Sequence, residues 1–122
     1  MTLGRHGEDL ALEHYRQLGF KFLERNYIFH RGKQTGEIDL VVCKNQEIVF
    51  VEVKTRRSSR FGTGLEAVDF FKQRKLVMTA KLYLLKHPQY RGWNYRIDVV
   101  TVDIDNQIEP VIIVTNAIED LD

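Results

Sequence analysis

The chain has 122 residues, of which 18 are basic, 17 are acidic and 43% are hydrophobic. This length and apolar content exclude an intrinsically disordered chain and predict one compact domain over residues 1–122. No uncharged stretch approaches the roughly 20 apolar residues of a membrane helix, and the N-terminus lacks the apolar core of a secretory signal. Cys43 is the only cysteine, which excludes an intrachain disulfide and a cysteine-based zinc site. We therefore expect a cytoplasmic protein with no membrane association.

The first half of the chain predicts a helix followed by strands. Apolar residues recur at helical spacing over residues 3–18 and stop at Gly19, a typical helix terminator. Composition then predicts a short strand over residues 20–26 and a loop over residues 30–36. Two runs rich in β-branched residues, 38–43 and 48–54, flank the turn residues 44–47 and predict a β-hairpin.

The second half predicts one helix and two strands. Thr63-Gly64-Leu65-Glu66 fits a capping box, so we expect a helix from there to Lys86, closed by His87-Pro88. Its apolar stripe would be interrupted by Lys75 and consists of Val68, Phe71, Met78, Leu82 and Leu85. Strands are predicted over residues 97–104 and 107–115. The fold class is therefore α/β, a mixed sheet with helices packed on its faces.

The net charge of +1 conceals a segregation of charge along the chain. Residues 1–53 carry −1, residues 54–91 carry +8 and residues 92–122 carry −6. A near-neutral total argues against a protein that coats nucleic acid, but a local basic cluster is compatible with a small phosphate-binding surface. Such runs are more often a solvated face, so the basic segment acquires meaning only from what lies beside it.

The predicted hairpin places two carboxylates opposite each other. If its turn is centred between Asn45 and Gln46, Asp39 faces Glu52 and Glu37 faces Lys54. Alternation would put Ile38 and Leu40 on one face, and Asp39, Glu52 and Lys54 on the other with apolar neighbours. Like charges in that arrangement are destabilising unless they are paired or bind a metal.

A divalent cation is one solution, and a structural network is the other. Facing carboxylates are hard oxygen ligands suited to Mg²⁺ or Mn²⁺, and Lys54 on the same face could orient a water molecule or neutralise developing negative charge. In the structural alternative, Lys54 pairs with Glu37 or Glu52, and Asp39 accepts hydrogen bonds from backbone amides.

At this point the chain resembles a known family. Asp39 followed by Glu52-Val53-Lys54 resembles the PD-(D/E)xK nuclease signature, with Ile38 in place of the proline. Over residues 4–104 the chain also resembles the bacterial YraN-like family, described as predicted endonucleases distantly related to archaeal Holliday-junction resolvases. The segments that carry this resemblance are Gly7-Glu8, Gly36-Glu37-Ile38-Asp39-Leu40, Val49-Phe50-Val51-Glu52-Val53-Lys54-Thr55-Arg56, Phe61-Gly62, Lys72-Gln73-Arg74-Lys75-Leu76, Ala80 and Arg96-Ile97-Asp98-Val99-Val100.

The resemblance implies a restriction-endonuclease-like core and a catalytic set. In the related resolvases a glutamate of the first helix joins the hairpin acids, and Glu8 matches that position. The implied catalytic residues are thus Glu8, Asp39, Glu52 and Lys54, with Glu8, Asp39 and Glu52 holding Mg²⁺ or Mn²⁺ and no small-molecule cofactor. The expected DNA-binding residues follow the metal-binding strand or match basic family positions on the second helix: Arg56, Arg57, Arg60, Lys72 and Lys75.

The leading expectation is a metal-dependent endonuclease that hydrolyses DNA phosphodiesters, with branched or structured DNA as its substrate. A junction cutter that acts on two strands is expected to dimerise, so a homodimer is a second expected partner besides DNA. The alternatives are a noncatalytic module that binds nucleic acid or protein on a nuclease-like fold, and a purely structural domain.

Overall fold

The computed structural model describes residues 2–57 and 68–119, which form a mixed α/β fold. The two α-helices of this part are α1 (Leu3–Gln17) and α2 (Phe70–Lys86). Its five strands are β1 (Lys21–Arg31), β2 (Gln34–Lys44), β3 (Glu47–Arg56), β4 (Asn94–Asp103) and β5 (Val111–Val114). Neither helix in these ranges is long and apolar enough to span a membrane.

The strands of the described residues form one mixed sheet in the order β1-β2-β3-β4-β5. The β3–β4 pair is parallel and the other three pairs are antiparallel. The parallel pair requires a crossover connection, and α2 lies in it. This arrangement confirms the predicted mixed sheet with helices.

The two helices pack on opposite faces of the sheet. Ile48 and Phe50 of β3 belong to one buried cluster with Val77 and Ala80 of α2. The alternate residues of β3 belong to a second cluster with α1, which contains Val49, Val51, Ala11, Leu12 and Tyr15. Because successive strand residues point to opposite faces, the sheet is buried on both sides at its centre.

Predictions from local signals are confirmed. α1 begins after Thr2, whose side chain accepts a hydrogen bond from the Arg5 backbone N–H at 3.1 Å, and it ends beside Gly19 at φ 93°. The hairpin turn lies at Asn45 and Gln46, which adopt φ 53° and 62° as a two-residue hairpin turn requires. The β2–β3 register runs from Lys44 opposite Glu47 to Leu40 opposite Val51, as predicted.

The predicted loop over residues 30–36 is wrong. β1 continues to Arg31 and β2 starts at Gln34, so only Gly32 and Lys33 form the turn. Gly32 has φ 59°, the left-handed conformation that permits a two-residue turn, and the polar residues around it belong to exposed ends of two long strands.

The predicted start and apolar face of the second helix are also wrong. α2 begins at Phe70, with Asp69 as its N-cap accepting from the Lys72 backbone N–H at 2.8 Å. The proposed capping box at residues 63–66 lies outside the described residues. Phe71 and Leu85 are exposed, and the buried residues of this helix are Leu76, Val77, Thr79, Ala80 and Tyr83. The side of α2 that faces the sheet carries Tyr83, whose ring contacts Tyr27 and Phe50 edge-to-face. These contacts decide which side of the helix is buried.

The aromatic residues before and at the start of β4 pack against the core. Tyr90, Trp93 and Tyr95 are partly buried against the α2-side cluster, and Tyr90 contacts Trp93 edge-to-face at 5.0 Å between ring centroids. The last strand is shorter than predicted, with four residues from Val111 to Val114.

A candidate active site at the end of the central hairpin

The carboxylates lie where β2 separates from β3. The paired register of these strands ends at Leu40 opposite Val51, so Asp39 does not pair with Glu52 in the ladder, nor Glu37 with Lys54. Instead, Asp39 Oδ2 accepts a hydrogen bond from the Val53 backbone N–H at 2.7 Å. The predicted ladder partners are therefore wrong at this local break, although Asp39 is still close enough to raise the pKa of the Glu52 carboxyl.

Side-chain alternation along β2 is interrupted at the same residue. Leu40 packs on the α1 side of the sheet, whereas Ile38 belongs to the α2-side cluster. The facing β1 residue in this region, Asn26, has φ 54° and is omitted from the β1–β2 register together with Asp39. The expected common face of Ile38 and Leu40 is therefore wrong, because the strand pair is irregular where Asp39 turns toward β3.

The environment of Glu52 favours its protonated form. Burial, followed by the charge and hydrogen bond of Asp39, raises the pKa of Glu52 to about 8, against a smaller opposing effect of Lys54. Lys54 Nζ lies 3.8 Å from Glu52 Oε1, and the Glu52 side chain is 19% exposed. This raised pKa shows that Lys54 balances the negative charge at Glu52 only in part.

Glu37 belongs to the same acidic group. Burial raises the pKa of its carboxyl, and the charges of Asp39 and Glu8 raise it further. Sequence reasoning considered Glu37 only as a partner of Lys54 and missed it as a member of the site. Its position two residues before Asp39 is the available signal, but the break in the β2–β3 ladder, beyond which Glu37 lines a pocket with Glu52, is not visible in the sequence pattern.

Close packing of α1 on β3 brings Glu8 near this group. A Cβ atom at Gly7 would overlap the Thr55 hydroxyl, so glycine permits the helix to approach the strand that carries Glu52 and Lys54. Glu8 Oε1 accepts a hydrogen bond from Arg25 Nε at 3.0 Å. Arg25 also pairs with Asp9, so in this structure Glu8 is held by β1 and is not directed at Glu52.

A second close approach brings the helix lysines to the carboxylates. A Cβ atom at Gly36 would overlap the Thr79 hydroxyl, so β2 and α2 are in contact here. Beside that contact lies a pocket of about 190 Å³, lined by Glu37, Glu52, Lys54, Lys72, Lys75, Leu76 and Thr79. The predicted residues Glu52, Lys54, Lys72 and Lys75 therefore meet in one pocket, with Glu52 and Lys54 on the strand side and Lys72 and Lys75 on the helix side.

The predicted arginines have different surroundings. Arg56 is half-buried, and its Nε and Nη2 atoms are buried without a hydrogen-bond partner among the described residues. Arg57 is exposed, and its Nη1 lies 3.6 Å from Asp105 Oδ1. Arg60 lies outside the described residues. Arg56 is thus the last residue of β3 and Arg57 follows it, and neither lines the pocket itself.

A separate buried network holds Asp98 in place. Its carboxylate accepts hydrogen bonds from Tyr15 Oη at 2.7 Å, Arg96 Nε at 3.0 Å and the Asn116 backbone N–H at 2.8 Å. Arg96 also donates to Glu47 at 2.7 Å. The Arg96–Asp98 ion pair lies within β4, and the Tyr15 hydrogen bond links β4 to α1.

The donor set fits a hard divalent cation in part. Across residues 2–57 and 68–119, no three or more His, Cys, Asp or Glu side chains are grouped so as to hold a metal ion. Mg²⁺, however, usually retains several waters and takes only one or two carboxylates from the protein. Asp39 and Glu52 could supply these two carboxylates. The Val53 N–H takes only one of the two Asp39 oxygens, and the ion would displace the proton that the raised pKa favours on Glu52.

Comparisons with known proteins agree with the resemblance found in the motifs. Residues 7–102 match the model of "Uncharacterised protein family UPF0102". A UPF0102 protein of Stutzerimonas stutzeri is 39% identical over 116 residues, covering 95% of this chain and 93% of the relative. A second, from Caldanaerobacter subterraneus, is 41% identical over 101 residues and covers 83% and 79%; a third, from Rhodococcus opacus, is 39% identical over 113 residues and covers 92% and 91%. The predicted YraN-like membership is confirmed, and the chain belongs to the UPF0102 family.

Proposed function

We propose that the protein is a metal-dependent endonuclease that hydrolyses DNA phosphodiesters, with branched or otherwise structured DNA as its substrate. The observation that carries this proposal is the Asp39–Glu52 pair beside a basic pocket. Lys54 Nζ, 3.8 Å from Glu52 Oε1, balances the negative charge of the pair only in part, and Glu52 and Lys54 line that pocket with two further lysines. The mixed sheet between two helices, with this acid pair at the end of its central hairpin, supports a restriction-endonuclease-like core.

Asp39 and Glu52 would hold Mg²⁺ or Mn²⁺, with Glu8 as the third carboxylate. When bound, the ion supplies a Lewis acid for a phosphoryl oxygen and a charge that lowers the pKa of water. Lys54 projects into the same pocket and would orient the attacking water or stabilise negative charge on the phosphorane. For Glu8 to bind the ion, its carboxylate would have to release Arg25 or bind Arg25 and the ion at the same time.

The basic side chains would bind the DNA backbone around the acids. Lys72 and Lys75 line the pocket opposite Glu52 and are placed to contact phosphate oxygens. Arg56 has unpartnered buried donors, and the exposed Arg57–Asp105 pair contributes little to stability, so exchanging Asp105 for a phosphate costs little. Arg60 is proposed as a further backbone contact from its position in the sequence.

Calorimetric titration with Mn²⁺ tests the metal site. We expect wild type to bind the ion, Asp39→Asn and Glu52→Gln to lose binding, and Glu8→Gln to weaken it. Asp9→Asn is the matched control, because Asp9 is the neighbour of Glu8 and pairs with the same arginine but is not a proposed ligand. Wild type that binds no divalent ion would show that the metal site is wrong.

Cleavage assays test the reaction. The protein would be incubated with Mg²⁺ or Mn²⁺ and with single-stranded, duplex, flap and four-way-junction DNA, beside Asp39→Ala and Lys54→Ala variants. We expect cleavage of at least one structured DNA by wild type, and its loss in both variants. Equal cleavage by wild type and Asp39→Ala would show a contaminant or a wrong site.

A noncatalytic binding module is the second candidate. Two observations favour it: an oxygen of Asp39 is already satisfied by the Val53 N–H, and Glu8 is paired with Arg25. These contacts, together with the Lys54–Glu52 pair, are those expected of a structural network. DNA binding that is equal in EDTA and in Mn²⁺, without cleavage of any DNA form, would support this candidate over the endonuclease.

A further inference from the structure

A wider groove continues from the carboxylate pocket. It has a volume of about 530 Å³ and shares Glu37, Lys72 and Lys75 with that pocket. Its outer walls come from the β1–β2 hairpin and from the first turn of α2, and they consist of Ile28, His30, Thr35, Gly36, Asp69 and Phe71. This volume lies within the range of small-ligand sites, which is about 300–1,000 Å³. The groove is thus large enough to hold a chemical group that is covalently attached to a phosphate bound at Lys72 and Lys75.

The outer part of this groove is apolar and exposed. The Phe71 side chain is 75% exposed on the helix wall, and Ile28 is 54% exposed on the strand wall. Large aromatic side chains normally gain stability by burial, so a phenylalanine left in solvent at the first turn of a helix is not explained by folding. Next to Phe71, Lys72 and Lys75 line both this groove and the carboxylate pocket, so two cations lie between the apolar part of the groove and the acids.

An exposed aromatic face beside two lysines matches the two parts of a nucleotide. The lysines suit the phosphate, and the phenyl ring suits the flat face of a base. Within an intact duplex each base is stacked between its neighbours and offers only its edges in the grooves. A side chain can therefore stack on a base only where that base is unpaired or displaced.

We propose that Phe71 stacks on an unpaired base next to the phosphate bound at Lys72 and Lys75, so that the site selects DNA with a single-stranded segment adjoining the cleaved bond. This inference rests on the proposed function and narrows its substrate class from structured DNA in general to DNA with an unpaired nucleotide at the site. Ile28 forms the opposite wall of the groove.

Binding measured without metal separates this inference from catalysis. Fluorescence anisotropy in EDTA, at one fixed salt concentration, would compare a DNA hairpin that carries a single-stranded tail with the same hairpin made blunt. Phe71→Ala should weaken binding of the tailed DNA by about 5- to 150-fold and change binding of the blunt DNA by less than about twofold. Phe71→Trp should restore the preference for the tail.

Phe70 supplies a matched control. Its side chain is 65% exposed on the same helical turn but is not among the residues that line this groove. Phe70→Ala should leave binding of both DNAs within about twofold of wild type. Phe71→Leu keeps the apolar character without an aromatic face, so a loss of tail preference equal to that of Phe71→Ala supports stacking, and full retention overturns it.

Other outcomes overturn the inference in distinguishable ways. If wild type prefers the tailed DNA and Phe71→Ala binds it equally well, the role of Phe71 is wrong and the proposed function stands. If Phe71→Ala weakens both DNAs equally and sedimentation shows a dimer becoming a monomer, Phe71 is a contact between two copies of the chain. If wild type binds neither DNA in EDTA, the inference fails, and the cleavage assay with metal decides the proposed function separately.

Discussion

Replacing Glu52 by glutamine should stabilise the metal-free protein at alkaline pH. The unfolded chain titrates this carboxyl near 4.5, whereas burial and Asp39 raise its pKa to about 8 in the folded state. Below pH 4.5 both states hold the proton, so wild type has its full stability there. Between pH 4.5 and 8 the unfolded state loses the proton first, and the stability of wild type falls as pH rises.

The magnitude follows from the two pKa values. Moving a carboxyl pKa from 4.5 to about 8 costs the ionised form at most about 5 kcal/mol in the folded state. The Glu52 side chain retains some solvent contact and Lys54 lies nearby, so we expect about 2–3 kcal/mol of this to be recovered by Glu52→Gln. Glutamine keeps the shape, can donate to the Asp39 carboxylate, and does not ionise.

Urea denaturation in EDTA at pH 5 and pH 9 measures this effect. The free energy of unfolding of Glu52→Gln should approach that of wild type at pH 5 and exceed it by about 2–3 kcal/mol at pH 9. Glu13→Gln, on the exposed side of α1, is the control and should differ from wild type equally at both pH values. A Glu52→Gln protein that is less stable than wild type at pH 9 would refute the reasoning, because Glu52 would then be a stabilising ion-pair partner of Lys54.

Three further predictions concern packing, the buried network and the lysines. Gly36→Ala should lower the free energy of unfolding by about 1–3 kcal/mol, because the new Cβ overlaps the Thr79 hydroxyl, and adding Thr79→Ala should recover part of the loss; no recovery would place the strain elsewhere. Asp98→Ala should cost about 3–5 kcal/mol in chemical denaturation, since Arg96 and its other partners lose a buried acceptor, and a loss under 1 kcal/mol would contradict that role. Lys75→Ala should reduce the slope of log Kd against log salt for DNA by about 0.9 without changing the melting temperature, and an unchanged slope would exclude a phosphate contact.

The hairpin was predictable because its determinants are local. Asn45 and Gln46 are compatible with positive φ at a two-residue turn, and the β-branched runs on either side align once that turn is set. The first helix was predictable for the same reason: Thr2 caps its start, and Gly19 follows its end. In each case the deciding interactions lie within a few residues of one another.

The second helix shows where local pattern fails. Apolar side chains occur around most of its circumference, so helical spacing alone does not choose between a stripe with Phe71 and Leu85 and one with Val77 and Ala80. The choice comes from partners distant in sequence, such as the edge-to-face contact of Tyr83 with Tyr27 on β1. The sequence pattern contains no information on that contact.

The site was predictable in its residue types and only partly in its geometry. Burying two acids and a lysine on apolar strands costs free energy unless the charges are paired. For this reason the sequence alone indicates Asp39, Glu52 and Lys54 as candidate site residues. Two features of the geometry involve β1, the strand that pairs with β2. The β1–β2 register is irregular at Asp39, and Arg25 of β1 holds Glu8. For this reason the sequence analysis missed Arg25 and Glu37.

The same geometry favours the proposal that the acid pair serves ion binding more than stability. Lys54 is the cation that pairs with Glu52, but at 3.8 Å it does not offset the burial and the charge of Asp39, and the pKa of Glu52 stays high. Arg25 neutralises Glu8 and Asp9, on the other side of the group. An arrangement that is tolerated with a proton in place of a counter-ion gains the most from a divalent cation, because the ion displaces that proton and neutralises both carboxylates at once.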